Sequence, residues 1–140
     1  MKTPSDLHQR FPALATLEAA PFSALAGLKV EAASAGSAVV RMPFDSRLLN
    51  YGPPDVPIHG GAIATLADFA ACAAVWTMPE TQRSATISLT VNYTGPGVQS
   101  DLVAHAQVRR KGRRIASLTV EIRDDAGALI ADALVTYKIA

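Results

Sequence analysis

Residues 59–77 are the longest stretch of this chain with helical periodicity, and the stretch is almost entirely apolar. Ile63, Leu66, Ala67, Ala70, Ala73 and Ala74 fall on one stripe, with Gly61, Thr65, Asp68 and Cys72 along another face. So many alanines allow close approach by a sheet or by a second helix. Two segments before this helix and four after it alternate apolar and polar residues with period two. One strongly apolar helix and about six strands share a core only if the sheet curls around the helix. The expected class is α+β: an antiparallel sheet of about six strands wrapped around one long central helix.

Before the helix, Ser5 to Leu28 reads as short helices interrupted by Pro12 and Pro21. Val30 and Ala32 then alternate with Glu31 and Ala33, and a turn at residues 34–37 leads to Ala38, Val40, Met42 and Phe44, which together predict a hairpin. Asp45 to Pro57 is polar and proline-rich, and no regular structure is expected there. After the helix, Ile87, Leu89, Val91 and Tyr93 alternate strictly with Thr86, Ser88, Thr90 and Asn92. Three further runs, 102–109, 116–123 and 129–139, repeat the pattern between tight turns, which predicts an antiparallel sheet with one buried face.

A length of 140 residues implies one domain spanning 1–140, with 1–27 as an N-terminal helical segment. Thirteen Lys and Arg against twelve Asp and Glu give no excess positive charge for a nucleic-acid or membrane-surface partner. A lone Cys72 excludes an internal disulfide framework and a multi-cysteine zinc site, and no close pair of histidines suggests another metal. The start lacks the continuous apolar run of a secretory signal. Ala62 to Trp76 is shorter than the ~20 residues of a bilayer span and carries Asp68 in its middle. A cytoplasmic location is expected.

His59-Gly60-Gly61 opening the helix, and Asp68 nine residues after His59, carry a family likeness. The matching text is HGGAIATLADFAAC, together with TISLTVNYTGPG from Thr86, QVRRKGRRIA from Gln107 and DDAGALIADALVTY from Asp124. From about Ala24 onward the chain resembles the hotdog-fold acyl-CoA thioesterases, most of all the phenylacetyl-CoA thioesterase (PaaI-like) branch. The resemblance implies hydrolysis of an aryl- or fatty-acyl-CoA to a free acid and CoA, with no cofactor beyond the CoA of the substrate. It assigns Asp68 as nucleophile or general base and implies roles for Gly60, Gly61 and His59 at the helix start. Thr86 matches a Ser or Thr that the family uses to hold the carboxylate or its water. The family also places an Asn shortly before the His; the nearest here is Asn50, with residues 51–58 between.

The chemistry of these residue types supports the assignment. The first turn of a helix offers unpaired N–H groups and partial positive charge, which suit the Gly60 amide to polarise a thioester carbonyl. A plainer reading of Gly60-Gly61 is a tight junction between loop and helix. A carboxylate on an apolar helix is costly to bury unless it is paired or functional, so Asp68 is the most informative residue in the chain. His59 positions the loop and the carbonyl or simply caps the helix, and Thr86 is also an ordinary β-branched strand residue. Arg109, Arg110, Lys111, Arg113 and Arg114 are either a solvated hairpin tip or a site for the phosphates of CoA. Cys72 reads as an inert core thiol and His105 as a structural strand residue.

Spacing also bears on assembly. Gly60 and Asp68 are eight residues apart, about 12 Å along a helix axis, whereas reacting groups must approach to about 3 Å. Two antiparallel helices satisfy both conditions by pairing Gly60 of one chain with Asp68 of the other. A homodimer with two shared sites is therefore expected, and a homotetramer of two such dimers agrees with the resemblance. Rival readings on the same fold are a non-catalytic acyl-CoA sensor, which has no need of Asp68, and a hydratase, whose site fits this His-to-Asp spacing less well.

Overall fold

A computed structural model describes residues 6–140; the first five, including Ser5 and most of the start examined for a signal, lie outside the described residues. Three short helices come first: α1 (Asp6–Arg10), α2 (Pro12–Ala19) and α3 (Pro21–Leu25), the last two each with proline in the first turn. They lead into β1 (Lys29–Ser34) and β2 (Ser37–Met42), then the long helix α4 (Gly60–Trp76), then β3 (Ser84–Tyr93), β4 (Leu102–Lys111), β5 (Ile115–Asp124) and β6 (Leu129–Ile139). The strands form one antiparallel sheet in the order β1-β2-β4-β5-β6-β3, and α4 packs against its inner face.

The expected stripe of α4 is buried throughout, joined by Phe69, Ala71 and Val75. Alanines let the helix backbone lie close to Val40, Ala104, Ala106, Leu118 and Val120, which line the concave side of the sheet. Both ends of α4 are pinned. At its C-terminus the buried Thr77 hydroxyl bonds the Ala74 carbonyl at 2.6 Å and accepts the Gly36 amide of the β1–β2 turn at 2.8 Å. At its N-terminus Ile58 N–H donates to Gly97 at 2.8 Å and His59 N–H to Leu48 at 2.7 Å.

Three details depart from the sequence reading. Asp45–Pro57 is not wholly irregular: Ser46–Leu48 makes a single 3-10 turn capped by the Asp45 side chain, and Leu49 bridges Ile58. In β1 the ladder slips between Val30 and Ala32, so Ala32 is exposed and Ala33 packs toward the core. In β3 the alternation is broken at Ile87. Thr86 pairs with Tyr137 and Ser88 with Thr136, leaving Ile87 as the extra residue of a β-bulge. Ile87 is 53% exposed as a result, and Thr86, not Ile87, shares the inner face with Tyr137.

Candidate active site

The bulge matters because of what Thr86 meets. The half-buried Asp68 lies on the open side of α4, and its Oδ1 accepts a hydrogen bond from Thr86 Oγ1 at 2.8 Å. Tyr137 Oη lies 2.8 Å from the same Oδ1 and 2.9 Å from the Asp68 carbonyl oxygen. A phenol has one proton, and a carboxylate is the stronger acceptor, so the bond goes to Oδ1. Tyr137 is only 2% exposed. Burial, with Cys72 and Asp68 nearby, pushes its hydroxyl well above the usual phenol range, so it stays a protonated donor. Asp68 Oδ2 has no donor among the described residues.

Sequence reasoning missed Tyr137, counting it only as an apolar strand position. The available signal was a hydroxyl-bearing ring among aliphatic neighbours on the buried face of β6, since a buried tyrosine hydroxyl needs a partner.

The start of α4 is built by His59. Its Nδ1 accepts the Gly61 N–H at 2.8 Å, which makes it the helix N-cap and leaves the proton of the neutral ring on Nε2. A Cβ on Gly61 would stand 2.9 Å from that Nδ1, so the cap itself requires glycine. At Gly60 a Cβ would meet the Tyr93 ring and hydroxyl at 3.4 Å, and Tyr93 Oη donates to the Gly60 carbonyl at 2.7 Å. With Gly61 N–H taken by the cap, the Gly60 N–H is the first-turn donor without a protein acceptor among the described residues.

Asn50 remains next to this segment in spite of residues 51–56. Its N–H donates to the Pro57 carbonyl at 3.1 Å beside the Leu49–Ile58 bridge, so the insertion closes on itself. The Asn50 side chain is exposed and has no hydrogen-bond partner among the described residues. A cavity of about 640 Å³ opens at the same end of α4, between α3, the segment after β2 and the first helical turns. Phe22, Leu25, Phe44, Leu48, Leu49 and Ala62 make it largely apolar, and His59 and Gly61 stand at its edge.

The basic run lies elsewhere. Lys111 Nζ pairs with Glu80 at 3.0 Å, just past the C-terminus of α4, and Lys111 and Arg113 edge a cavity of about 400 Å³ there. Arg109 and Arg110 are exposed on β4, and Arg113 and Arg114 are exposed in the turn to β5. Along the 17 residues of α4 this end is about 25 Å from Gly60. One protomer thus does not bring its basic turn to its own helix N-terminus.

Cys72 is less isolated than its sequence surroundings suggested. Its Sγ is 3.9 Å from Ser84 Oγ, which also accepts from Trp76 Nε1 at 2.9 Å. Burial pushes the thiol up, away from a nucleophilic thiolate. His105 is exposed on the outer face of the sheet. No helix among the described residues is long and apolar enough to cross a membrane.

A long helix held in a curled six-stranded antiparallel sheet is the hotdog architecture. Residues 58–131 match the model of the Thioesterase superfamily, and the chain belongs to that family. An esterase-like protein of Halobacterium salinarum is 37% identical over 99 residues, 69% of this chain and 65% of that one. The medium/long-chain acyl-CoA thioesterase YigI of Salmonella typhimurium is 28% identical, with 85% of each chain covered. Among solved structures, a mutant form of the phenylacetic acid degradation protein PaaI of Thermus thermophilus is 29% identical with a TM-score of 0.75, covering 85% of this chain and 98% of that one.

Proposed function

We propose that the protein hydrolyses acyl-CoA thioesters at sites shared between two copies of the chain. Family membership supports a thioester hydrolase. The observation that carries the reading is Asp68: a carboxylate on an otherwise apolar helix, tied through one oxygen and open at the other, on the helix whose first turn keeps a spare N–H. The Gly60 N–H polarises the thioester carbonyl. Asp68 of the second copy either attacks the carbonyl carbon, expelling CoA thiolate before water releases the acid, or takes a proton from the water that attacks. Both routes convert acyl-CoA and water to acid and CoA.

Pairing of two copies is supported by two unfilled surfaces. The face of α4 bearing Gly61, Thr65, Asp68 and Cys72 is only partly covered, with β3 and β6 reaching Asp68 and β3 reaching Cys72 while Gly61 stays exposed, and β3, ten residues long, is paired on one edge only among the described residues. Antiparallel α4 helices would also bring the basic turn of each chain toward the site built on the other's Gly60, where it would meet the phosphates of CoA. The apolar cavity beside His59 accommodates the acyl group, aryl or aliphatic.

The test is release of free thiol from a panel of aryl- and fatty-acyl-CoAs by wild type and Asp68→Asn. Thiol release by wild type and its loss in Asp68→Asn are expected. Binding of acyl-CoA without thiol release would make the protein a binding module instead.

A further inference from the structure

We infer that Tyr137 is a positioning residue that, with Thr86, decides which oxygen of Asp68 reacts. The two hydroxyls hold Oδ1, each at 2.8 Å, and Oδ2 is the oxygen that meets the thioester carbonyl or its water. The inference rests on the thioesterase reading above.

A carboxylate turns about a broad, roughly two-fold torsion, so an untied Asp68 would offer either oxygen in a range of directions. Two donors on one oxygen remove that freedom. Both donors stand on the rigid sheet, opposite each other across the β3–β6 ladder. The bulge at Ile87 is what turns Thr86 to the inner face. Tyr137 is fully packed, and its hydroxyl donates to Asp68 Oδ1, with the Asp68 carbonyl oxygen 2.9 Å away. A phenylalanine would fill the same space, so packing alone does not call for the hydroxyl. The oxygen carrying two hydrogen bonds is the weaker base and nucleophile, because its lone pairs are engaged. The open one keeps them for chemistry.

The experiment measures steady-state hydrolysis of acyl-CoA by wild type, Tyr137→Phe, Thr86→Ala, the double variant and Asp68→Asn, with a thermal melt of each. Tyr137→Phe is expected to lower kcat by up to about 100-fold through misplacement of the carboxylate, with KM within about two-fold because substrate binding is untouched. Once either hydroxyl is gone the carboxylate is loose, so the double variant should fall well short of the product of the single losses. Tyr137→Met removes the hydroxyl by a second route if the phenylalanine variant folds poorly. Wild-type kcat in a folded Tyr137→Phe, a rise in KM alone, or strictly multiplicative effects would each overturn the inference while leaving the proposed activity standing. Full activity in Asp68→Asn would overturn the inference together with the role given to Asp68, whereas the absence of hydrolysis by wild type would overturn the proposed activity itself.

Discussion

Thr86 and Tyr137 face each other across the β3–β6 ladder, and their hydroxyls converge on one oxygen of Asp68 at 2.8 Å each. Thr86 is the exposed, exchangeable member of the pair. Thr86→Ala removes one charge-assisted hydrogen bond, of order 1.5–3 kcal/mol, and is expected to cut kcat about ten-fold or more. Thr86→Ser keeps the donor and should retain most of the activity. Equal losses in the two variants, measured by thiol release, would show that the methyl group rather than the hydroxyl matters.

The same pair shows where the sequence was legible and where it was not. The buried stripe of α4, the six strands and the placing of Asp68 on the helix face away from that stripe follow from periodicity, because burial on one face leaves a period in the text. A bulge leaves none. Ile87 belongs to the apolar set by alternation, yet one extra residue in the ladder sends it outward and turns Thr86 in. Tyr137 escaped notice for a related reason: its ring obeys the apolar alternation, and its hydroxyl finds Asp68 only through the contact of β6 with α4. The closure of residues 51–56 beside Asn50 depends on backbone bonds between distant residues and is equally silent in the sequence.

His59 acts on this helix as a cap, and that role separates from chemistry by substitution. His59→Ala loses the bond to Gly61 N–H and is expected to cost about 1 kcal/mol, a fall of about 4 °C in Tm for a chain of this size. Asparagine is a strong N-cap, so His59→Asn should recover the stability and, with it, most of the activity. Recovery of Tm without recovery of kcat/KM would mean that the imidazole itself touches the substrate.

Alkaline pH should loosen the fold through two buried groups. Burial raises the Cys72 thiol above its ordinary 9.0 and the Tyr137 hydroxyl above its ordinary 10.0. The folded chain therefore holds protons that the unfolded chain releases. This stability is fully present below about pH 9 and is lost as pH rises through the ordinary values toward the raised ones. Thermal melts between about pH 8 and pH 11 should show a declining Tm in wild type and a shallower decline in Cys72→Ala and Tyr137→Phe. Parallel curves would mean that neither group titrates differently on folding.

Shared sites make a prediction that an intrachain site does not. A lone Cβ at Gly60 would make ordinary contact with the Tyr93 ring at 3.4 Å, but the branched side chain of Gly60→Val adds bulk beside the Gly60 N–H and should keep the thioester carbonyl from it, abolishing hydrolysis. Asp68→Asn abolishes it by removing the carboxylate. When the two inactive proteins are unfolded together and refolded as an equal mixture, about half of the dimers combine one chain of each kind. Each such dimer holds one site with a native Gly60 from the Asp68→Asn chain and a native Asp68 from the Gly60→Val chain. Its other site carries both defects. The mixture should thus regain about a quarter of wild-type activity, while each variant refolded alone stays inactive. A mixture that remains inactive, in dimers confirmed by light scattering, would place Gly60 and Asp68 of one chain in the same site and overturn the shared-site arrangement.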